Sequence, residues 1–315
     1  MRDLLKKFWT LLKGTVNCFS ENKVLKLSAA LSYYTIFSLP PLLMMIIGFC
    51  GIFYGQDAVE GQVVQLLKGF VGIDAAMGIQ GALATVSLRQ DTFFATMIGA
   101  ASLLLGATAV FGEIQDSINS IWRLKTHPEK GIIKLLLTRL VSFAMIVVLG
   151  FLLLVSLLFN TVFDLFMERL SSRFDGFVVE ALFYVNYVII YIVITLLFAI
   201  VFKVLPDARI KWKQIRAGAM VTGVLFMLGK YGISFYLSQN SSVTAYGAAG
   251  SVIVLLLWVY YSSIILYFGA AFTQTLAVYN GERIEPNRYA VFVAMQEVEI
   301  GDNIKAEQKS THASV

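Results

Sequence analysis

The feature that most constrains this chain is a series of long apolar runs separated by short segments that hold most of the charged residues. A helix crosses about 30 Å of lipid hydrocarbon with about 20 apolar residues. Of the 315 residues, 58% are hydrophobic and 14% are charged, whereas about 25% of an ordinary soluble domain is charged. The pattern excludes a soluble domain and predicts a polytopic membrane protein.

Six apolar runs are long enough to span a bilayer. The first is longer and more polar than a cleavable signal sequence and lacks a clear cleavage site, so we expect it to be retained. The predicted fold is an all-α bundle of six transmembrane helices with short interfacial amphipathic helices. The chain is divided into a cytoplasmic amphipathic segment (1–27), a membrane domain (28–278) and a polar cytoplasmic tail that we expect to be disordered (279–315). The predicted spans are residues 28–52, 92–112, 135–163, 178–202, 215–237 and 250–278.

Basic residues alternate between the two sides of these spans, which predicts the orientation of the chain because positively charged loops stay in the cytoplasm. Loops on the opposite side hold few of them. We therefore expect both termini in the cytoplasm of a bacterial inner membrane, with membrane lipids rather than nucleic acid as the partner of the basic residues. The basic residues on the predicted cytoplasmic side are Arg2, Lys6, Lys7, Lys13, Lys23, Lys26, Arg123, Lys125, Lys130, Lys134, Lys203, Arg209, Lys211, Lys213 and Arg216.

Three segments outside the spans have helical amphipathic spacing, one on the predicted outer side between residues 56 and 90 and two on the cytoplasmic side. Apolar residues of segment 4–19 fall on one side and lysines on the other, which predicts a helix lying on the inner leaflet. Segment 113–122 is predicted to turn along the cytoplasmic interface, with Ile114, Ile118, Ile121 and Trp122 on one stripe. Its polar residues are interpreted either as a cytoplasmic entrance or, more often the case for such residues, as a solvated face. They are Glu113, Asp116 and Asn119.

The first span is unusually polar and contains two adjacent prolines, which remove helix hydrogen bonds and kink the segment. Interrupted polar spans often border a transport pathway, because freed backbone groups need a cavity or neighbouring helices. A kink that only lets helices pack is an equally good interpretation. The candidate pathway-lining residues are Ser28, Ser32, Tyr34, Thr35, Ser38, Pro40 and Pro41.

Lys230 is the one basic residue well inside a predicted span. A charge within the membrane is a functional candidate, but a lysine this close to an interface is more simply explained by a side chain that reaches the headgroups. Small residues at four-residue spacing predict helix packing faces. These are Ala95 with Gly99, Ser102 with Gly106, and Ala219 with Gly223.

Nothing in the sequence predicts catalysis. His127 and His312 have no zinc spacing and no nucleophile partner, and no pair of carboxylates lies within the spans. Cys18 and Cys50 fall on opposite sides of the predicted bilayer, so no disulfide between them is expected. We therefore expect no catalytic residue, metal or cofactor, and an intramembrane enzyme ranks last among the functional hypotheses.

Several separated motifs then become informative together: segments 29–40 and 106–122, Leu205-Pro206-Asp207, Tyr246-Gly247, Leu257-Trp258 and Gly269-Ala270. In this order they resemble the YihY/virulence factor BrkB family, formerly labelled ribonuclease BN-like. The resemblance implies a six-span bacterial inner-membrane protein without a settled activity, for which lipid transport and serum resistance have been proposed. Ala271 departs from the Gly-Ala-Glu expected there, so any proton or cation coupling through that acid would be missing.

These observations predict transport or translocation of a lipid or amphiphilic solute, with the first span bordering the path. The alternative is a non-catalytic membrane scaffold or envelope-assembly factor whose interfacial helices bind partners. The oligomeric state stays open, because small-residue faces serve packing within a chain and between chains alike.

Overall fold

A computed structural model describes residues 2–38, 61, 64–65, 77, 80, 93–126, 140, 144–145, 148, 176–239, 248–287 and 290–293. Within these ranges the chain forms long helices joined at one end by short strands. The helices are α1 (Arg2–Glu21), α2 (24–38), α3 (Phe93–Ile121), α4 (Gly176–Val204), α5 (Trp212–Gln239) and α6 (Ala248–Tyr279). The strands are β1 (Leu124–Thr126), β2 (Ala208–Arg209), β3 (Glu285–Pro286) and β4 (Ala290–Phe292).

The helices coincide with the apolar runs of the sequence. Helices α3 to α6 cover the second, fourth, fifth and sixth predicted spans, and α2 covers the start of the first. Most of the third predicted span lies outside the described residues. Within the described residues, segments Tyr184–Val204 and Val252–Tyr279 are long and apolar enough to cross a membrane, with mean hydropathies of 2.6 and 2.1.

Helix α4 carries a row of large apolar side chains that no other part of the described structure covers. Tyr184, Val188, Ile192 and Leu196 follow one another at four-residue spacing and are 66%, 56%, 56% and 48% exposed. Residues at this spacing share one helix face. Such a continuous exposed apolar face is expected where a helix meets lipid rather than water.

Helix α5 packs between α4 and α6 through its small residues. Ala219 is fully buried, and Gly223 lies against Tyr191 and Thr195 of α4, so the packing face predicted for the fifth span is confirmed. Gly106 of α3 also packs as predicted, because its carbonyl accepts a hydrogen bond from Ser38 Oγ of α2 at 2.9 Å. The surroundings of Ala95, Gly99 and Ser102 lie outside the described part of the structure.

A second small-residue face of α5, which the sequence analysis did not identify, meets α6. There Gly218 lies against Thr273, and Thr222 of α5 lies against Gly269 of α6, so each helix offers a glycine to a threonine of the other. Each threonine hydroxyl donates to the carbonyl four residues earlier in its own helix. The pairs bring the two backbones close together and satisfy the hydroxyl groups locally.

We expect Gly218→Ala to lower the free energy of unfolding by about 1–3 kcal/mol, because the new Cβ would overlap the Thr273 hydroxyl. Gly232→Ala on the same helix is the matched control, since nothing lies near its Cβ position, and it should be neutral or stabilising by up to about 1 kcal/mol. In the double variant Gly218→Ala with Thr273→Ala, much of the lost free energy of unfolding should be recovered. Equal stabilities of the Gly218 and Gly232 variants in detergent denaturation would contradict this packing.

Helix α1 packs lengthwise against the last turns of α6. The Lys7 ammonium lies 5.3 Å from the centre of the Tyr279 ring, and the Phe19 and Phe268 rings are 6.2 Å apart. Near the middle of this contact, Cys18 Sγ donates to Gln274 Oε1 at 2.9 Å, and burial raises the pKa of the Cys18 thiol to about 11. The structure thus differs from the predicted surface helix, because α1 has a protein contact that its amphipathic pattern did not reveal.

Two aromatic side chains on the exposed side of α1 are left open. Phe8 and Trp9 are 63% and 68% exposed, whereas Leu11 and Thr15 are buried. The helix therefore presents aromatic side chains away from the bundle while a second face holds it to the protein.

The segment after α6 folds back onto the loops that follow α3 and α4. Strand β4 pairs with β1 and β3 pairs with β2, both antiparallel. The expectation of disorder is therefore wrong for residues 280–287 and 290–293, because backbone groups of two distant loops supply the partners that this polar segment lacks by itself. The rest of the tail lies outside the described residues.

Candidate functional site

The strands gather at the end of the bundle that holds Lys203, Arg209, Lys211, Arg123 and Lys125, called here the basic end. Helix α3 reaches this end without interruption, which corrects the prediction that segment 113–122 turns along the interface as a separate helix. No residue between positions 106 and 121 breaks the helix. The chain turns only after Trp122, where Arg123 adopts a φ of 58°.

The predicted apolar stripe of this segment is confirmed. Ile114, Ile118, Ile121 and Trp122 are at most 9% exposed and belong to the main hydrophobic core. Trp122 is 1% exposed, and its Nε1–H donates to the Ala270 carbonyl of α6 at 3.0 Å. Apolar packing and this hydrogen bond together fix the end of α3 against α6.

The side of this helical segment next to the apolar stripe holds the loop between α4 and α5 through Asp207. Gln115 Nε2 donates to Asp207 Oδ1 and Asn119 Nδ2 donates to Oδ2, each at 3.0 Å. In return, the Asp207 amide donates to Asn119 Oδ1 at 2.9 Å, and the Asp207 carbonyl accepts from the Asn287 amide at 2.9 Å. One aspartate thus joins α3, the α4–α5 loop and the segment after α6.

The three residues of the predicted cytoplasmic entrance differ in their exposure and contacts. The solvated-face interpretation is wrong for Asn119, which is 4% exposed and bound to Asp207. Asp116 is exposed, as a solvated face predicts. Glu113 is half-buried and accepts a hydrogen bond from Ser117 Oγ at 3.2 Å. Only Asp116 therefore projects into open space, and the polar face of α3 is mainly a packing surface.

The polar face predicted to border a pathway is turned into the protein at three positions. Ser28, Ser32 and Ser38 are at most 6% exposed, Thr35 is half-buried, and Tyr34 is 40% exposed. Pro40 and Pro41 lie outside the described residues. The Ser32, Thr35 and Ser38 hydroxyls donate to carbonyls three or four residues earlier in the helix.

Ser28 differs from the other hydroxyl residues of α2. It is 0% exposed, and its Oγ has no hydrogen-bond partner within the described part of the chain. Buried hydroxyls in proteins usually have a partner, and leaving one unpaired costs about 1–3 kcal/mol. The Ser28 hydroxyl is thus a buried polar group that is available to form a further hydrogen bond.

Lys230 lies in the middle of α5 and is half-buried. Its two neighbours in sequence differ in exposure: Gly229 is buried against Tyr261, and Tyr231 is 53% exposed. The lysine therefore lies at the border between the packed and open faces of α5. Whether it acts in transport or reaches the headgroups stays a prediction.

A groove of about 500 Å³ opens at the basic end between the end of α4, strand β2, the start of α5 and the segment after α6. Lys203 Nζ donates to the Ile210 carbonyl at 2.7 Å and lies 5.7 Å from the Trp212 ring centre. The ion pair of Lys211 with Glu282 measures 2.9 Å. The lining residues are Lys203, Ala208, Arg209, Ile210, Lys211, Gln214, Glu282, Arg283, Glu285 and Asn287.

Glu282 is the acidic side chain that lies nearest the start of α5. It accepts hydrogen bonds from Lys211 Nζ and from Gln214 Nε2. The hydrogen bond from Lys211 is the main reason that the pKa of Glu282 is lowered, and the charges of Lys211 and Lys213 act in the same direction. The groove therefore favours a negative charge. Sequence reasoning missed it, because four of its ten lining residues come from the segment expected to be disordered.

Within the residues that the structure describes, no group of three or more His, Cys, Asp or Glu side chains is placed to hold a metal ion.

Long apolar helices with an exposed apolar face define a helical membrane protein, and proteins of similar sequence are named accordingly. A UPF0761 membrane protein of Stenotrophomonas maltophilia strain K279a is 26% identical over 85% of this chain and 61% of its own length. One of Pseudoalteromonas atlantica is 25% identical over 91% of this chain and 92% of its own length. One of Haemophilus influenzae is 25% identical over 85% of this chain and 94% of its own length.

The model of the virulence factor BrkB family matches residues 15–291, and the chain belongs to this family. The resemblance found in the sequence motifs is therefore confirmed. The chain spans about three fifths of the length of the first relatives that it matches. No solved structure matches the chain.

Proposed function

We propose that this protein moves a lipid or an amphiphilic solute across a bacterial inner membrane as a six-span transporter. Its basic end and both termini face the cytoplasm in this proposal. The supporting observation is the buried polar face of α2, where Ser28, Ser32 and Ser38 are turned away from lipid and the Ser28 hydroxyl has no partner within the described residues. A polar surface inside a membrane bundle is suited to a solute that carries polar groups.

The polar face also lies next to the contact of α2 with α3, since Ser38 bonds to the Gly106 carbonyl. Helix α3 continues from there to the basic end, where it holds the α4–α5 loop through Asp207. A headgroup moving along α2 would therefore pass from the bundle interior toward a basic surface. In this proposal the solute enters at the basic end and moves beside α2.

The test is translocation of labelled bacterial lipids in proteoliposomes that contain the purified full chain. Replacing Ser28 and Ser32 together with alanine should lower the translocation rate about tenfold, as expected if the two lost hydroxyl contacts are together worth about 1.4 kcal/mol. Ser263→Ala is the control, because Ser263 is also buried and its hydroxyl, like that of Ser32, donates to a carbonyl of its own helix.

Rates above protein-free vesicles that fall only in the α2 variant would support transport. Rates equal to those of empty vesicles with every lipid, from protein that is folded, would contradict it. Equal rates for the α2 variant and for Ser263→Ala would contradict the assignment of the path to α2.

The exposed aromatic face of α1 favours the second candidate, a membrane scaffold. Phe8 and Trp9 point away from the bundle while the other face of α1 is fixed to α6. Crosslinking from position 9 in native membranes separates the two functions. A stoichiometric protein partner supports the scaffold, whereas crosslinks to lipid alone support transport.

A further inference from the structure

We propose that the groove at the basic end binds the phosphate headgroup of an anionic membrane lipid. The proposal does not depend on transport, because a lipid can occupy this groove without crossing the membrane. Four basic side chains line the groove against two acidic ones, so its net charge is positive. The basic residues are Lys203, Arg209, Lys211 and Arg283.

The position of the groove along the helices places it at headgroup depth. Lys203 lies in the last turn of α4, at the end of the apolar segment Tyr184–Val204. Trp212 is the first residue of α5 and is 52% exposed. Tryptophan and lysine at the ends of apolar helices mark the boundary between hydrocarbon and water. Four of the lining residues, 208–211, lie between these two residues in the chain, which places the groove level with the lipid phosphates.

Local charge favours an anion at this place. The first turn of α5 has no acidic residue, although a helix N-terminus is stabilised by negative charge. The chain supplies that charge from Glu282, whose carboxylate bonds to Lys211 and Gln214. Lys211 is paired to Glu282, and the other three cations, Lys203, Arg209 and Arg283, outnumber the remaining acidic residue of the lining, Glu285, so a net positive charge is left for a phosphate. Arginine is suited to this group because its planar fork matches two phosphate oxygens.

Exposed apolar side chains on the two helices that border the groove fit the remainder of a lipid. Val204 at the end of α4 is 45% exposed, and Met220 and Val224 on α5 are both 47% exposed. Acyl chains could cover these side chains while the phosphate meets the basic residues. A free phosphate would use the same cations but would leave the apolar side chains uncovered. The combination favours a lipid as the source of the phosphate.

The test measures lipids retained by the full chain in detergent by native mass spectrometry. Equal amounts of phosphatidylglycerol and zwitterionic phosphatidylethanolamine are supplied to each variant. The groove variant is Arg209→Gln with Arg283→Gln. The control, Lys125→Gln with Lys26→Gln, removes the same charge from two exposed positions outside the groove lining. Circular dichroism and thermal unfolding establish that each variant is folded.

We expect the wild type and the control to prefer phosphatidylglycerol, and the groove variant to bind it about tenfold more weakly. Equal retention of phosphatidylglycerol by the groove and control variants would overturn the proposal. Loss of retention from the wild type on adding inorganic phosphate at millimolar concentration would show a site for free phosphate and would also overturn it. Retention of phosphatidylglycerol without translocation would leave this site intact and contradict only the transport proposal.

Discussion

Replacing Trp122 with alanine should lower the free energy of unfolding by about 3–5 kcal/mol, the largest loss expected from one substitution in the described structure. The indole is 1% exposed within the main core, so its removal leaves a cavity between α3 and α6. It also removes the hydrogen bond from Nε1 to the Ala270 carbonyl. Reversible denaturation in mild detergent, followed by circular dichroism, measures the change.

Two further substitutions separate packing from hydrogen bonding at this site. Trp122→Phe keeps much of the ring volume but lacks the donor, so it should cost less than the alanine variant. Trp9→Ala should change stability by no more than about 0.5 kcal/mol, because Trp9 is 68% exposed. A Trp122→Ala variant as stable as Trp9→Ala would show that α3 is not fixed to α6 through this side chain.

Replacing Asp207 with alanine should cost about 3 kcal/mol, because two charge-assisted hydrogen bonds are lost and the NH2 groups of two buried amide side chains lose the carboxylate as their acceptor. Gln115 and Asn119 are 5% and 4% exposed, so water does not readily replace the carboxylate. The loss should also loosen the α4–α5 loop, which can be followed as faster hydrogen exchange of its amides.

The control is Asp116→Ala, since Asp116 is an exposed acid on α3, next to Gln115 in the sequence. It should stay within about 0.5 kcal/mol of the wild type. Asp207→Asn should fall between the wild type and Asp207→Ala, because one oxygen still accepts a hydrogen bond while its amide faces another amide. In a double-mutant cycle, Asn119→Ala and Asp207→Ala should cost less together than the sum of their separate effects. Additive losses would contradict the cluster.

Three helices could be predicted almost to their ends from the sequence. The predicted spans 178–202 and 250–278 became α4 (Gly176–Val204) and α6 (Ala248–Tyr279), with similar agreement for α5. The prediction succeeds because apolar length is a property of consecutive residues and needs no knowledge of neighbours. The prediction of the second span is correct at its start only, because its helix continues nine residues past the predicted end at residue 112.

The candidate site was less predictable. The sequence around Asn119 does not distinguish it from a solvated residue. Its burial depends on Asp207, which lies 88 positions away. The groove depends on Glu282 and Arg283, in a polar segment whose sequence alone indicates disorder. Short strands of two or three residues carry no periodic signal, so their pairing with loops after α3 and α4 could not be read in advance.

The sequence by itself determined that the chain is a helical membrane protein, where most of its helices run, and to which family it belongs, because each of these follows from the order of residues along the chain. Only the tertiary structure decided which polar side chains hold the bundle together and which line an open groove. Those roles depend on contacts such as Gln115 with Asp207 and Trp122 with Ala270, which join residues 92 and 148 positions apart. A polar side chain near a membrane is stable whether it meets water, lipid phosphate or a buried partner, and its own sequence neighbourhood does not distinguish them.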